Sequence, residues 1–358
     1  MMLIGFLTLR SAQEAEYATE LARRAPDYGL QVVRFTPAQI QPVTELIAGL
    51  AFDQSSQEWK QQTFPLPSII YDRCFYNGSE AAKKGRPIVD WLKKRTDITF
   101  LGYGLPDKWE TYRILSSHRE TAPYVPHTEQ ATADQVHSML ARKGEAALKP
   151  INGSQGNGFC RLSHKRDGFY ISMQQGQEQQ SYTFRSKEEL TDWLSALFQT
   201  RAFLLQPHLS VQDRHGRPFD IRILLQKDEQ GQWQESGRGV RVGAARALVS
   251  NLHAGSSTIS YAEWRAAYPR RDLSLLEDDI RTLIAAVPRA LERELPPLFE
   301  VGLDISVERN RAVWLLDVNS KPGRKVITTC MPERTEQLYR APLAYSRYLM
   351  HEKGADVR

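Results

Sequence analysis

Three cysteines are all that the 358 residues carry: Cys74, Cys160 and Cys330. They are too few and too scattered for a disulfide framework or a thiolate metal site. No apolar run approaches the roughly 20 residues that cross a bilayer. The opening Met1-Met2-Leu3-Ile4-Gly5-Phe6-Leu7 has neither the basic start nor the cleavage site of a secretory signal, and reads instead as a first buried strand. These absences predict a cytoplasmic protein with no membrane partner. Low-complexity tracts and repeats of fixed period are missing too. So are dense Lys/Arg tracts and interleaved basic and aromatic residues, and without them a formal net charge of +5 does not indicate a nucleic-acid partner. The surplus reads as solubility, with some arginines drawn into anion-binding sites. What remains is 41% hydrophobic and 25% charged, ordinary for a globular chain with room for two or three domains.

Against that plain background two segments stand out. Gly302-Leu303-Asp304-Ile305 and Trp314-Leu315-Leu316-Asp317-Val318-Asn319-Ser320-Lys321-Pro322-Gly323 read as two short strands joined by a turn, with polar oxygens set into apolar runs. Asp304, Asp317 and Asn319 then sit at strand ends facing a shared space. Three hard oxygen donors of this kind suit Mg²⁺ that is also held by substrate phosphates; a hairpin with polar turn residues is the competing reading. Upstream, Ala147-Leu148-Lys149-Pro150 delivers a lysine into a loop with glycines at 153, 156 and 158. Glycines let backbone N–H groups crowd an anion, and a lysine adds a point charge. The loop is not a Walker A motif, because the lysine precedes the glycines. Nor is it a dinucleotide fingerprint, since no helix with a ribose-binding acid follows. Alone it fits a flexible hairpin as well as a phosphate-binding flap; the acidic hairpin downstream favours the flap.

Lys149-Pro150, the spaced glycines, Phe219-Asp220-Ile221-Arg222, Gly302–Ile305 and Asp317–Gly323 stand in the order found in ATP-grasp enzymes. Over roughly residues 100–345 the chain resembles the YheC/YheD group of spore-coat-associated ATP-grasp proteins, itself similar to ribosomal-protein glutamate ligases and tubulin-tyrosine ligases. Ser250-Asn251-Leu252-His253-Ala254-Gly255 resembles the Asn-Leu-His-x-Gly-Gly turn of the glutamate ligases, with one glycine replaced. The resemblance implies an α/β chain with an ATP-grasp fold. A Rossmann-like N-terminal domain would take residues 1–105, a small lobe with the glycine loop 106–205, and a large lobe with the Mg-binding hairpin 206–358.

It also implies ATP and Mg²⁺ as cofactors. Lys108 and Lys149 would contact phosphates, and the loop with Gly153, Ser154, Gly156 and Gly158 would close over them. Adenine would lie at the hinge of Gln206, His208 and Leu209, where Pro207 has no N–H and a neighbour must donate. Asp304, Asp317 and Asn319 would bind metal. Relatives usually have glutamate where this chain has Asp317, and the shorter arm argues against bridging two metals. Arg222, Arg241 and Asn251 would act on the reacting atoms.

Asp220 and Arg222 share a strand face, so they form an ion pair or Asp220 orients Arg222 toward a phosphoryl group. Arg238 and Arg241, three apart, face opposite sides. Lys321 and Arg324 are surface charges or hold an acceptor's carboxylate or phosphate, and Asp72, Arg73 and Arg86 are solvated or help hold the second substrate. No serine or cysteine nucleophile has a recognisable setting. The function expected is an ATP- and Mg²⁺-dependent carboxylate–amine ligase working through an acyl phosphate on an amino acid, peptide or protein carboxylate. The alternatives are a phosphotransferase without ligation, or a non-catalytic spore-coat protein retaining the fold.

Local patterning predicts strands over 3–9, 31–35, 68–71 and 98–101 with helices over 12–24, 43–50 and 88–94, a small parallel α/β unit. A helix N-capped by Asp107, strands about the glycine loop, strands over 203–209, 222–226 and 233–242, and helices over 277–292 (kinked or interrupted at Pro288) and 334–348 follow.

Overall fold

The computed structural model describes residues 1–76, 79–153, 156–245, 247–250, 255–268 and 270–356. The first apolar run forms β1 (Met2–Leu7), and α1 (Ala15–Arg24) buries Tyr17, Ala18, Leu21 and Ala22. Then come β2 (Leu30–Phe35), β3 (Leu46–Asp53), β4 (Glu58–Pro65), β5 (Ile69–Asp72), α2 (Glu80–Lys93) and β6 (Thr99–Phe100). The sheet order is β4-β3-β2-β1-β5-β6. Its β2-β1-β5-β6 portion is parallel, as expected, but β3 joins β2 antiparallel and β4 joins β3 antiparallel. The helix expected over 43–50 is therefore strand β3. Its hairpin partner supplies the reason: Ile47 faces Phe64 and Phe52 faces Trp59 across the ladder, and that cross-strand packing outweighs the helix preference of alanine and leucine.

The second sheet follows α3 (Lys108–Ser117), whose Asp107 N-cap accepts from the Glu110 N–H as its sequence position suggests. Its elements are β7 (Glu129–Gln130), α4 (Ala133–Lys143), β8 (Glu145–Pro150), β9 (Cys160–Lys165), β10 (Gly168–Gln175), β11 (Glu178–Phe184), α5 (Lys187–Thr200) and β12 (Phe203–Pro207). The order is β11-β10-β9-β8-β12-β7 and every pairing is antiparallel. Leu148, Leu162, Ile171, Phe203 and Leu205 pack against Val136, Met139 and Leu140 of α4 and Leu190 and Leu194 of α5. Strand alternation sends Lys149 and its ladder partner Leu204 to the other face, and Leu204 joins the core of the third sheet.

That third sheet, β15-β14-β13-β16-β17, is built from β13 (Phe219–Lys227), β14 (Trp233–Val242), β15 (Ser257–Ser260), β16 (Glu300–Val307) and β17 (Val313–Asn319). Helices α6 (Tyr261–Ala266) and α7 (Arg270–Glu294) lie between β15 and β16, and α8 (Lys325–Cys330) and α9 (Thr335–Asp356) close the chain. One face, with Ile221, Ile223, Leu225, Val240, Leu303 and Ile305, packs on Ile280, Leu283, Val287 and Leu291 of α7. Of the kink or interruption expected at Pro288, the interruption does not occur: α7 runs through it as one helix. The opposite face is covered at one end by α8, which needs glycine beneath it: a Cβ on Gly237 or Gly239 would lie 2.5 Å from Ile327 or 2.8 Å from Val326. At the uncovered end this face carries charge. No helix among the described residues is long and apolar enough to cross a membrane.

Candidate active site

Ladder register assembles the charged end of the third sheet. Arg222 on β13 stands opposite Asp304 on β16, and Asp304 stands opposite Asp317 on β17. Asp220, two residues before Arg222, faces Arg241 on β14. Cross-strand partners share a face, so these groups and Asn319 point the same way. The pairing differs from the expectation drawn from β13 alone. Asp220 does not hold Arg222; its carboxylate accepts from Arg241 Nε at 2.7 Å and from the Ser250 hydroxyl. Arg222 clasps Asp304, with Nη2 donating at 2.9 Å, and Arg241 Nη2 reaches the same carboxylate at 2.9 Å. The partner across the ladder is closer than the one two residues along the strand. Arg238 turns to the other side and pairs with Glu235 and Glu277.

Burial sharpens these charges. It would raise the Asp304 carboxyl, but Arg222 and Arg241 outweigh it and bring the pKa down to about 2. Asp220, buried and beside the Asp304 charge, is displaced upward, with Arg241 and the Ser250 bond only partly offsetting that.

A bulge at Asp304/Ile305 leaves Leu316 without a ladder partner on β16. Its freed carbonyl accepts from the Tyr112 hydroxyl of α3 and from Lys149 Nζ, the latter at 3.3 Å. One residue on, Asp317 accepts from Lys108, the first residue of α3. Lys108, Lys149 and the Leu316–Asp317 stretch thus come together from three elements. Burial and the neighbouring Lys108 charge lower the Lys149 ammonium pKa to about 8, against the pull of Asp317 and Asp304. Tyr112 was not anticipated; its spacing of four from Lys108, on one helix face, is the signal that marks it.

The glycine loop joins β8 to β9. Gly156 and Gly158 have φ of 75° and 80°, and Gly158 N–H donates to the Gln174 carbonyl at 2.7 Å. Gly153 lies beside Pro150. Ser154 lies outside the described residues, as do Asn251 and His253. At the expected hinge, the buried Gln206 side chain donates to Thr128 at 2.7 Å and His208 Nδ1 meets Glu145 at 2.9 Å. The Leu209 carbonyl accepts from the Val211 N–H.

The residues beyond the hairpin join the third sheet to the first. Lys321 Nζ meets Asp72 at 2.8 Å, and Asp72 also pairs with Lys93 at 3.0 Å. Arg324 and the fully buried Arg73 converge on Glu300, at 3.2 and 2.6 Å, and Arg73 also binds Glu14. Arg324, Lys321, Asp72 and Arg73 are therefore not solvated charges; they form a buried network between two sheets. Arg86 stacks on the Tyr76 ring instead. Cys74 and Cys160 are buried thiols whose pKa burial pushes up, Cys160 to about 12.

The family described as YheC/D-like ATP-grasp matches residues 97–349. The chain belongs to that family. It is 37% identical to the endospore coat-associated protein YheC of Bacillus subtilis (strain 168) over 99% of this chain and 98% of that protein. YheD of the same organism is 24% identical, over 85% of this chain and 67% of its own length. Among solved structures, D-alanyl-alanine synthetase A from Vibrio cholerae superposes with a TM-score of 0.54 at 11% identity, covering 97% of this chain and 98% of that one. D-cycloserine synthetase DcsG gives 0.55 at 14% identity, over 97% and 99%. A Chryseobacterium gregarium RiPP-associated ATP-grasp ligase, solved with ADP and a leader and core peptide, gives 0.51 at 14%, over 99% and 97%. The fold is ATP-grasp.

For a YheC/D-like chain the metal question turns on the oxygens of the hairpin. Asp304 and Asp317 are ladder partners, and the half-buried Asn319 has no hydrogen-bond partner for its amide among the described residues. Two carboxylates and an amide oxygen on one face fit Mg²⁺ whose remaining positions are filled by phosphate and water. Asp317, which accepts from Lys108 and the Val318 N–H, is the more accessible carboxylate, its side chain 24% exposed against 9% for the arginine-clasped Asp304.

Proposed function

We propose that this chain is an ADP-forming, ATP- and Mg²⁺-dependent carboxylate–amine ligase. The observation that carries the reading is the convergence of Lys108 and Lys149 on the Leu316–Asp317 stretch, beside Arg222, Asp304 and Arg241. Cations and hard oxygens without a covalent nucleophile are what phosphoryl transfer needs, since it rests on positioning and charge neutralisation.

An acid cannot expel hydroxide toward an amine, so its carboxylate oxygen first attacks the γ-phosphorus of ATP. That P–O bond forms as the bond to ADP breaks. The amine then attacks the acyl carbon, phosphate departs with the oxygen the acid supplied, and the amine gives its proton to solvent. Lys149 holds phosphate as a point charge at the mouth of the glycine loop, and Lys108 would do so from α3 when a divalent cation takes over its Asp317 carboxylate. The forks of Arg222 and Arg241 hold the transferring group and the developing oxyanion. Asp220, tied to Ser250, fixes Arg241. Asp317, Asn319 and Asp304 would hold Mg²⁺, which when bound neutralises the β- and γ-phosphate oxygens.

The names of the fold neighbours support an amino acid or peptide as the acid, and those of YheC and YheD support association with the spore coat. The test is ADP release with Mg²⁺ and ATP across amino acids, peptides and amines, with product masses, comparing wild type and Asp317→Ala. The reading expects substrate-dependent ADP with an amide product, lost in the variant. A stable phosphorylated product would make the protein a phosphotransferase, and failure to bind ATP would reject catalysis.

A further inference from the structure

A cavity of about 180 Å³ lies between the segment following α3 and helix α7, away from the cleft. Helix α3 has 10 residues. At about 1.5 Å rise each, some 15 Å of helix separates this cavity from Lys108. Ala286 and Ala290, both buried and one turn apart, form its floor, and their small side chains leave the space open. Arg289 and Arg293 flank that floor from the adjoining stripe of α7, and His118 and Arg119 close the other side.

The polar groups here are underused. Arg119 and Arg293 make no hydrogen bond or ion pair among the described residues. Arg289 meets Glu120 at 3.3 Å, in a pair whose side chains are 58% and 62% exposed and which water largely screens. His118 Nε2 is buried with no hydrogen-bond partner, and Glu294 Oε1 stands 4.0 Å away. Three guanidiniums thus line the cavity against one carboxylate, Glu120, with His118 at its edge. Guanidinium forks match the geometry of a phosphate, and two of the three here have no anionic partner among the described residues.

We propose that this cavity is an anion site that takes the phosphate group of a small phosphate-bearing molecule. Its volume is well above the roughly 10–15 Å³ of such space that one water needs, enough for a phosphate and part of the group that carries it. The site is independent of the ligase reading, because it shares no residue with the cleft.

The probe is inorganic pyrophosphate, titrated calorimetrically into the full chain at constant ionic strength. The nucleotide cleft also attracts phosphate, so Lys149→Gln is the background. Saturable binding is expected in that background, weakened about tenfold or more by adding Arg119→Gln and Arg293→Gln. Glu120→Gln, which removes the carboxylate at the mouth, should tighten binding, a change of sign that no folding defect produces. The His118 ring resonances should shift during the titration. Absence of saturable binding in the Lys149→Gln chain, or binding unchanged by the paired arginine substitutions, overturns the proposal.

Discussion

Replacing Lys149 with methionine should make the protein more stable at neutral pH while removing the proposed phosphate contact. The ammonium sits half-buried beside Lys108 with one neutral acceptor, the Leu316 carbonyl at 3.3 Å. Burial first, then the Lys108 charge, lowers its pKa from 10.5 to about 8. At about 1.4 kcal/mol per pH unit, that costs the folded state about 3 kcal/mol wherever the lysine must stay charged. Methionine keeps the length and the apolar stem without the charge. Loss of the bond to Leu316 takes back about 1 kcal/mol, leaving a net gain of about 2. The sign with pH follows from proton counting. Between pH 8 and 10.5 the unfolded chain keeps the proton that the folded chain has released, so wild-type stability rises through that window. The gap to Lys149→Met should therefore be full below about pH 8 and reverse by about pH 10.5, where only the lost Leu316 bond, about 1 kcal/mol in favour of wild type, separates the two. Urea unfolding followed by tryptophan fluorescence at pH 7, 9 and 10.5 measures it. A variant less stable than wild type at pH 7, or a gap that does not change with pH, refutes the reasoning.

Two further outcomes follow from the same geometry. Glu300→Gln leaves Arg73, which is 0% exposed, and Arg324 facing a neutral partner, and should cost about 3–5 kcal/mol in the urea midpoint without touching the cleft. Gly158→Ala forces an alanine to φ near +80° with its Cβ 2.2 Å from Arg201 Nη2 and 3.0 Å from Pro150 Cγ. A loss of about 1–2 kcal/mol and a raised KM for ATP are expected, and an unchanged KM would detach the loop from nucleotide binding.

The acidic hairpin was legible because its polar residues interrupt apolar runs at a spacing that strand geometry converts directly into a shared face. Lys108 was legible only through motif order; nothing in Asp107-Lys108 announces that the lysine reaches Asp317, 209 positions away. What one strand cannot encode is its register with the next. Asp220 and Arg222 were placed on the right face, yet their partners, Arg241 and Asp304, lie on flanking strands. The β3–β4 hairpin was missed for a related reason. Residues 58–65 are polar apart from Trp59, Phe64 and Pro65, and only pairing with Phe52 and Ile47 makes them a strand. The anion cavity was invisible because its arginines come from segments about 170 residues apart, and a diffuse charge surplus does not say which cations meet.

The central claim is that a carboxylate takes the γ-phosphate before an amine displaces it. Once a turnover substrate is in hand, its carboxylate is labelled with ¹⁸O and the released phosphate is weighed by mass spectrometry. The account predicts one ¹⁸O in each phosphate, formed only with Mg²⁺ and ATP and absent in Asp317→Ala. Phosphate carrying no label, released at the wild-type rate alongside amide product, would contradict it.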